Sequence, residues 1–225
     1  MALTGHFKMF LMILGIIMIH EGGHILMALI LKWKITKVSI LPFGALTVFD
    51  EDINRPVKEE ALIAISGPLV QLFFTFFVFK GEMISYSLAI LFFNLLPIYP
   101  LDGAKFLNLF LNKIMSFRLS LIATLYFSVI CLFFLAVKCN FNLLFILIVS
   151  FILVRVIDEI CKVEVTFNRF LLEREIKNFN FKKLKVINGL NVHRMRRDFR
   201  HIFKVNGYKT EKEILKEMFD FKGKV

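Results

Sequence analysis

Charged residues are scarce in this chain: they make up 21% of its 225 residues, against 57% for apolar residues. Ordinary soluble domains are about 45–50% apolar. The balance therefore excludes a disordered chain and argues against a soluble domain with a single core. Cysteine is rare as well, and Cys131, Cys139 and Cys161 have no C-x-x-C spacing, so neither a disulfide framework nor a cysteine zinc finger is indicated. The sequence contains no internal repeat and no low-complexity tract.

What the chain has in excess is long apolar runs. A bilayer core of about 30 Å takes roughly 20 apolar residues to cross. Five runs approach or exceed this length, and they cover residues 7–31, 61–79, 85–111, 119–137 and 141–157. Two prolines, Pro97 and Pro100, interrupt the third run, and the fifth is the shortest. The sequence therefore predicts an all-α polytopic membrane protein with about five transmembrane helices.

Positive charge is concentrated near the C-terminus, where residues 158–225 hold 17 Lys and Arg against 10 Asp and Glu. Such an excess is found in nucleic-acid-binding proteins. In a membrane protein it is more typical of cytoplasmic segments, so we expect no direct nucleic-acid partner. With the N-terminus outside, seven basic residues lie in inner loops and three on the outer side: Lys32, Lys34, Lys37, Arg55, Lys58, Lys113 and Arg118 against Lys8, Lys80 and Lys138. The prediction is a transmembrane core over 1–157, surrounded by the lipid bilayer, and a basic cytoplasmic tail over 158–225.

Two segments depart from the helical pattern. Residues 38–49 read VSILPFGALTVF, a β-branched and aromatic stretch with Pro42-Phe43-Gly44 at its centre, which predicts a membrane-associated β-hairpin. The tail predicts a small mixed α/β region with a helix over 166–179, a strand over 199–205 and a last helix over 211–220. Thr210 followed by Glu213 forms a capping box for that last helix.

The chemistry begins in the first apolar run, at His20-Glu21-Gly22-Gly23-His24. On a helix, two histidines four positions apart lie on one face, where their nitrogens can share a Zn²⁺ ion. Glu21 beside them can act as the base that takes a proton from water. The competing interpretation is a pair of buried histidines with hydrogen-bonding neighbours. Titratable residues in the middle of an apolar helix are costly, however, and mark function.

A catalytic zinc usually takes three protein ligands. Asp102 is the only acidic residue inside the other apolar runs, and it follows the two prolines in NLLPIYPLDG. Prolines three apart break a regular helix, and irregular backbone at membrane depth is tolerated only inside protein or beside a wet cavity. Asp102 is thus predicted as the third ligand, the alternative being a helix-capping carboxylate. Asn94 is a candidate for binding the loop or a substrate backbone, or an ordinary polar core residue, while Gly67-Pro68 marks a kink or a close approach of two helices.

These residues resemble the site-2 protease family of intramembrane zinc metalloproteases, through HEGGH in one run and NLLPIYPLDG in another. Further stretches are similar to the sporulation subgroup of that family: LTGH at 3–6, LPFG at 41–44, NRPVKEE at 54–60, SGPL at 66–69 and RFLLER at 169–174. The resemblance implies one zinc ion bound by His20, His24 and Asp102, with Glu21 as catalytic base. It also implies hydrolysis of a peptide bond in a membrane-associated protein.

For the sporulation subgroup the implied substrate is the inactive precursor of a late mother-cell sigma factor, pro-sigma-K. Inhibitory membrane proteins are implied as partners, and the implied location is the mother-cell or cell membrane. Three features depart from the subgroup. The subgroup has an extra span before the metal helix, and in this sequence that span would have to precede LTGH. Ala104 stands where the subgroup has a glycine, and the tail is short for a complete nucleotide-sensing CBS domain. The number of spans, five or six, and the capacity to sense nucleotides therefore stay open.

The hairpin also suggests how a substrate is held. An unwound substrate needs partners for its backbone groups in a dry medium, and a strand edge supplies them. The predicted substrate-positioning strand consists of Ala45, Leu46, Thr47, Val48 and Phe49. The alternative is a lipid-facing loop or an apolar plug. Two rival functions remain: a non-catalytic membrane protein that binds or transports zinc, and a DNA- or lipid-binding adaptor acting through the basic tail.

Overall fold

Seven α-helices and five strands make up the part of the chain that is described by a computed structural model, namely residues 7–33, 35–41, 44–49, 53–138, 143–205 and 207–222. In chain order the elements are α1 (Phe7–Ile30), β1 (Ile35–Leu41), β2 (Gly44–Phe49), α2 (Val57–Phe77), α3 (Glu82–Asn94), α4 (Asp102–Ile114), α5 (Phe117–Lys138), α6 (Leu143–Ile176), β3 (Lys183–Asn188), β4 (Phe199–Lys204), β5 (Tyr208–Thr210) and α7 (Glu211–Lys222). A short 3₁₀ turn spans Val192–Arg194.

The chain divides into two compact units. The first unit comprises Met1–Glu51, Lys58–Leu96 and Leu101–Gly103, and the second comprises Asp52–Val57, Pro97–Pro100 and Ala104–Val225. In the first unit α1 contacts α3 and β2. In the second, α5 packs on α6, and α6 on α7.

In the described ranges of the chain, three helices are long and apolar enough to cross a membrane: Phe7–Ile30, Val57–Phe77 and Phe117–Val137. They correspond to the first, second and fourth predicted runs. The third run is divided into α3 and α4 by the proline-containing loop, as the prolines predicted. The fifth run forms only the beginning of α6, which continues for 34 residues to Ile176. The predicted tail helix over 166–179 is thus the end of this longer helix, because no helix-breaking residue separates the two stretches.

The hairpin prediction is confirmed, since β1 and β2 pair antiparallel with Val38 opposite Thr47 and Ile40 opposite Ala45. The first two residues of the predicted turn, Pro42 and Phe43, lie outside the described residues. The capping box is confirmed as well. The Thr210 N–H donates to Glu213 Oε2 at 2.9 Å, and the Glu213 N–H donates to Thr210 Oγ1 at 3.4 Å.

The predicted strand over 199–205 is confirmed as β4, but it belongs to a sheet that the sequence did not predict. This sheet has the order β3-β4-β5, with β3 parallel and β5 antiparallel to β4. One of its faces packs on a core formed by residues of α5, α6, the sheet and α7 and by the residue after the 3₁₀ turn: Phe117, Phe167, Phe170, Leu171, Ile187, Met195, Phe203, Ile214 and Leu215. The mixed α/β character predicted for the tail region is thereby confirmed.

Within the second unit, two of the stretches quoted above for their family resemblance meet at Asn54. Its amide group donates to Glu173 Oε2 at 3.1 Å and accepts from Arg174 Nε at 2.5 Å. The Arg174 guanidinium also donates to Glu211 Oε1 at 2.9 Å and lies over the rings of Phe170 and Phe181. A buried guanidinium requires this many partners, and Asn54, from the NRPVKEE stretch, supplies one of them to Arg174 of RFLLER within the second unit.

Polar side chains also join helices of the second unit that are mostly apolar. The Asn108 amide donates to Thr124 Oγ1 at 3.2 Å, and Ser120 Oγ donates to Asn112 Oδ1 at 2.9 Å, which links α4 to α5. Ser128, also on α5, accepts a hydrogen bond from the Tyr99 N–H at 3.0 Å. In an apolar medium such bonds hold helices and irregular segments in register.

Candidate metal centre

Three of the predicted site residues converge in the first unit. His20 Nε2 lies 2.8 Å from Asp102 Oδ2, His24 Nε2 lies 3.3 Å from the same oxygen, and the two Nε2 atoms are 3.2 Å apart. Both histidines are buried, with 2% and 7% of their surface exposed. The structure therefore brings together one nitrogen from each histidine and one carboxylate oxygen.

The α1 helix positions the two imidazoles. His20 and His24 are four residues apart, so their rings occupy neighbouring turns of one face, with centroids 4.9 Å apart and planes at 77°. Glu21 lies between them in the sequence, next to His20, and is half-buried. The local sequence thus places two ring nitrogens on one face of the helix, with Glu21 adjacent to His20 in the chain.

Glycines allow α2 to approach this face of α1 closely. A Cβ on Gly67 would lie 2.3 Å from His24 Nε2, and a Cβ on Gly23 would lie 2.7 Å from the Ser66 carbonyl oxygen. Neither position has space for a larger residue. Of the two interpretations of Gly67-Pro68, the structure shows the close approach.

Asp102 is carried to the site by the loop that the prolines create. It is the first residue of α4, where the helix dipole favours a carboxylate. The next residue, Gly103, packs directly on the chain before the loop: a Cβ there would lie 2.2 Å from the Leu95 carbonyl oxygen and 2.3 Å from that of Leu96. The glycine of the PLDG sequence thereby permits the loop to close on itself and sets the position of Asp102.

The remaining predicted site residues lie elsewhere in the first unit. Asn94 is the last residue of α3 and is half-buried. The predicted substrate-positioning residues form β2 from its second residue onward, and their side chains lie outside what the structure describes: Ala45, Leu46, Thr47, Val48 and Phe49. The structure describes only the backbone of this strand.

Sequence reasoning missed Gln71 on α2. Its side-chain oxygen lies 2.7 Å from His20 Nδ1, and the residue is fully buried. The available signal was a single amide within a long, mostly apolar run, which is costly unless both of its ends are bonded.

The donor atoms at the site suit a zinc ion. His24 Nδ1 lies 2.7 Å from the Ile63 carbonyl oxygen, which only accepts, so Nδ1 carries a hydrogen, and in the neutral ring Nε2 has none. Nε2 therefore presents a lone pair to a carboxylate oxygen, an arrangement that a cation stabilises. Two imidazoles and one carboxylate are a common ligand set of catalytic zinc. The separations of 2.8–3.3 Å are close to the roughly 3.3 Å between ligands that share a tetrahedral zinc at about 2.0 Å.

Comparison with known proteins is consistent with this chemistry. Residues 8–85 match Peptidase family M50, a range that includes the HEGGH motif. Stage IV sporulation protein FB of Bacillus subtilis is 37% identical over 203 residues, which cover 81% of this chain and 69% of that protein. A zinc metalloprotease of Methanocaldococcus jannaschii is 31% identical over 121 residues, which cover 47% of this chain and 34% of that protein.

Among solved structures, the site-2 protease from Methanocaldococcus jannaschii aligns with a TM-score of 0.47 and 25% identity, over 67% of this chain and 76% of that one. The family resemblance noted in the sequence is confirmed by the match to the Bacillus protein, which extends over more than two thirds of that relative. The chain therefore belongs to peptidase family M50, the site-2 protease family of membrane metalloproteases.

Proposed function

We propose that this protein is an intramembrane zinc endopeptidase that cuts a membrane-associated substrate at the site formed by His20, His24 and Asp102. The observation that carries the proposal is the convergence of these three side chains within 3.3 Å of one another. His20 lies 13 residues beyond Phe7, which is about 20 Å along a helix and near the middle of a bilayer core. A peptide bond cut there belongs to a segment in or near the membrane.

Each residue has a separate role in the proposal. The two imidazoles and the Asp102 carboxylate hold the zinc ion. Zinc in such a site supplies Lewis-acid chemistry that activates water and polarises a peptide carbonyl. Glu21 accepts the proton of the attacking water and passes it to the departing amine nitrogen. The apolar helices limit the access of bulk water, which strengthens every electrostatic interaction at the site.

Glu21→Gln tests this assignment, because the substitution keeps side-chain size and all three proposed ligands but removes the base. We expect purified Glu21→Gln protein to retain zinc and lose cleavage. Glu82→Gln, the same change on an exposed residue of α3, is the matched control and should cleave normally. Cleavage by Glu21→Gln near the wild-type rate would exclude the catalytic role of Glu21. A protein that only binds or transports zinc would show no cleavage even as wild type.

We propose a precursor of a sporulation sigma factor, similar to pro-sigma-K, as the substrate, and inhibitory membrane proteins as partners. The similarity to stage IV sporulation protein FB supports this. Co-expression with a candidate precursor, followed by a size assay, tests it. A shortened product should form with wild-type protein and be missing with Glu21→Gln. A precursor that stays full-length in the presence of active enzyme is not the substrate.

The strand β2 is proposed to hold the unwound substrate by strand addition. In the described part of the chain β2 pairs only with β1, so its second edge can take another strand. Leu46→Pro removes one N–H donor and should reduce cleavage strongly while leaving zinc content and membrane insertion unchanged. Leu46→Val, which keeps the donor, should cleave normally. Equal cleavage by the two variants would contradict strand addition.

We also propose the topology predicted from the basic residues: a five-span metalloprotease core over 1–157 and a cytoplasmic tail over 158–225. Support comes from three helices of membrane-spanning length and from the distribution of Lys and Arg. A reporter fused after Val225 should be protected from protease added outside the cell. Reporter activity that requires an exterior location would contradict the proposed orientation.

A further inference from the structure

Gln71 forms hydrogen bonds in two directions from the interior of α2. Its side-chain oxygen faces His20 Nδ1 at 2.7 Å, and its Nε2 lies 2.9 Å from the Ser87 carbonyl oxygen and 3.1 Å from Ser87 Oγ. Gln71 and Ser87 are completely buried. An amide in an apolar interior is costly unless both ends are bonded, and here each end has a partner.

The Ser87 carbonyl determines which way the amide points. A carbonyl oxygen only accepts, so the NH₂ group of Gln71 must face it and the side-chain oxygen must face His20. This oxygen is also only an acceptor, so His20 Nδ1 must carry the hydrogen. In the neutral ring, the form that binds a metal, His20 Nε2 then has none and presents its lone pair on the side of Asp102 Oδ2, 2.8 Å away.

The hydroxyl groups around the amide agree with this assignment. Thr75 Oγ1 donates its single hydrogen to the backbone carbonyl oxygen of Gln71 at 2.7 Å. Ser87 Oγ must then donate to Thr75 Oγ1, 2.6 Å away, and it accepts from Gln71 Nε2. Every hydrogen of the three side chains has one acceptor, so no alternative orientation of the amide satisfies the network equally well.

We propose that Gln71 is a positioning residue for metal binding, which holds His20 in the Nδ1–H tautomer with Nε2 directed to the metal. The inference rests on the proposed zinc site. The partner of a metal-binding histidine fixes the tautomer and orientation of its ring. His24 has a backbone partner, the Ile63 carbonyl, that no side-chain substitution removes. His20 has a side-chain partner, so its orientation depends on the identity of residue 71.

Zinc affinity of the purified full-length protein, measured by competition with a chelator, tests the proposal. Gln71→Met fills a similar volume without an acceptor for His20, and we expect about 10–100-fold weaker zinc binding. Gln71→Asn retains an amide that is too short to reach His20 and should weaken zinc binding similarly. This variant tests the proposal if Gln71→Met fails to fold. Gln71→Glu, as a carboxylic acid, can still accept from His20 and donate to the Ser87 carbonyl, so it should keep most of the wild-type zinc affinity.

Thr124→Ala separates positioning from a merely structural role. Thr124 is a buried residue of α5 in the second unit, and its hydroxyl bonds to Asn108 and the Ser120 carbonyl but to no member of the Gln71 network. Its loss should lower stability while zinc affinity stays near wild type. The proposal is overturned if Gln71→Met and Gln71→Asn bind zinc as tightly as wild type. It is also overturned if Thr124→Ala loses affinity to the same extent as they do. Failure of the zinc site itself gives a different result, because His20→Ala and His24→Ala would then leave zinc binding unchanged.

Discussion

Replacement of Gly67 by alanine tests whether the close approach of α2 to α1 serves the metal centre. The added Cβ would lie 2.3 Å from His24 Nε2, 2.5 Å from Cε1 and 2.7 Å from Cδ2. Ordinary contact begins at 3.4 Å, so the nitrogen must move by about 1.1 Å. Metal-ligand distances tolerate only about ±0.2 Å. The ring must therefore leave its proposed position as a ligand, because it is the movable partner in the clash.

The expected result is loss of zinc with retention of the fold. Zinc affinity should fall by more than the roughly 10–100-fold that follows loss of an outer partner, since the substitution displaces a proposed direct ligand. Metal analysis of protein purified in detergent measures the loss, and thermal unfolding of the same samples measures the fold. Gly67→Ala protein that holds one zinc per chain at wild-type affinity would refute this interpretation of the site.

Three other glycines serve as controls for this experiment. Among the described residues, nothing lies within 4 Å of a Cβ built on Gly15 or Gly22, so alanine at either position should leave zinc content unchanged. Gly103→Ala places its Cβ 2.2 Å from a backbone carbonyl oxygen, which cannot move as a ring can, and it should destabilise the protein as a whole. Gly67→Ala is thus expected to differ from both kinds of variant.

Three further predictions concern the third ligand and the tail. Asp102→Asn should lower zinc content, because a neutral amide is a poorer ligand than a carboxylate; Asp220→Asn on α7 is the control, and full zinc occupancy in Asp102→Asn would place the third ligand elsewhere. Acidification should weaken the tail. Burial lowers the pKa of His201 below its ordinary value of 6.5 and outweighs its bond to Glu211. Burial acts to raise the pKa of Glu211, but bonding to His201 and the charge of Arg174 hold it below its ordinary 4.5. Both groups bind protons less readily in the folded state, so the stability they contribute is present near neutral pH and is lost as the pH falls below 6.5 and then below 4.5. Amide exchange of β4 in the full-length protein, corrected for intrinsic rates, should therefore become faster on acidification. Unchanged protection would contradict this prediction. Thr210→Ala should destabilise α7 by about 0.5–1 kcal/mol through loss of the capping hydroxyl, seen as faster amide exchange in its first turn, whereas Thr210→Ser, which keeps the hydroxyl, should exchange as wild type does.

Much of the candidate centre was predictable from the sequence because it depends on local geometry. Histidines four residues apart share a helix face whatever the rest of the chain does, which places His20 and His24 together. The hairpin and the capping box depend on side-chain branching, turn residues and hydrogen bonds only three positions apart. Prolines end helices by their own covalent structure, so the break before Asp102 was also visible.

Only the tertiary structure decided which residues far apart in the chain contact each other. Asp102 lies 82 positions from His20 in the sequence, and Gln71 lies 51 positions from it. No periodicity of the sequence predicts that residues so far apart meet at one site. The requirement for glycine at Gly67 arises only when α2 packs against an imidazole of α1. The parallel pairing of β3 with β4 likewise depends on the core beneath them. The local sequence determines which groups a helix or strand presents, and the packing of those elements determines which of the groups meet.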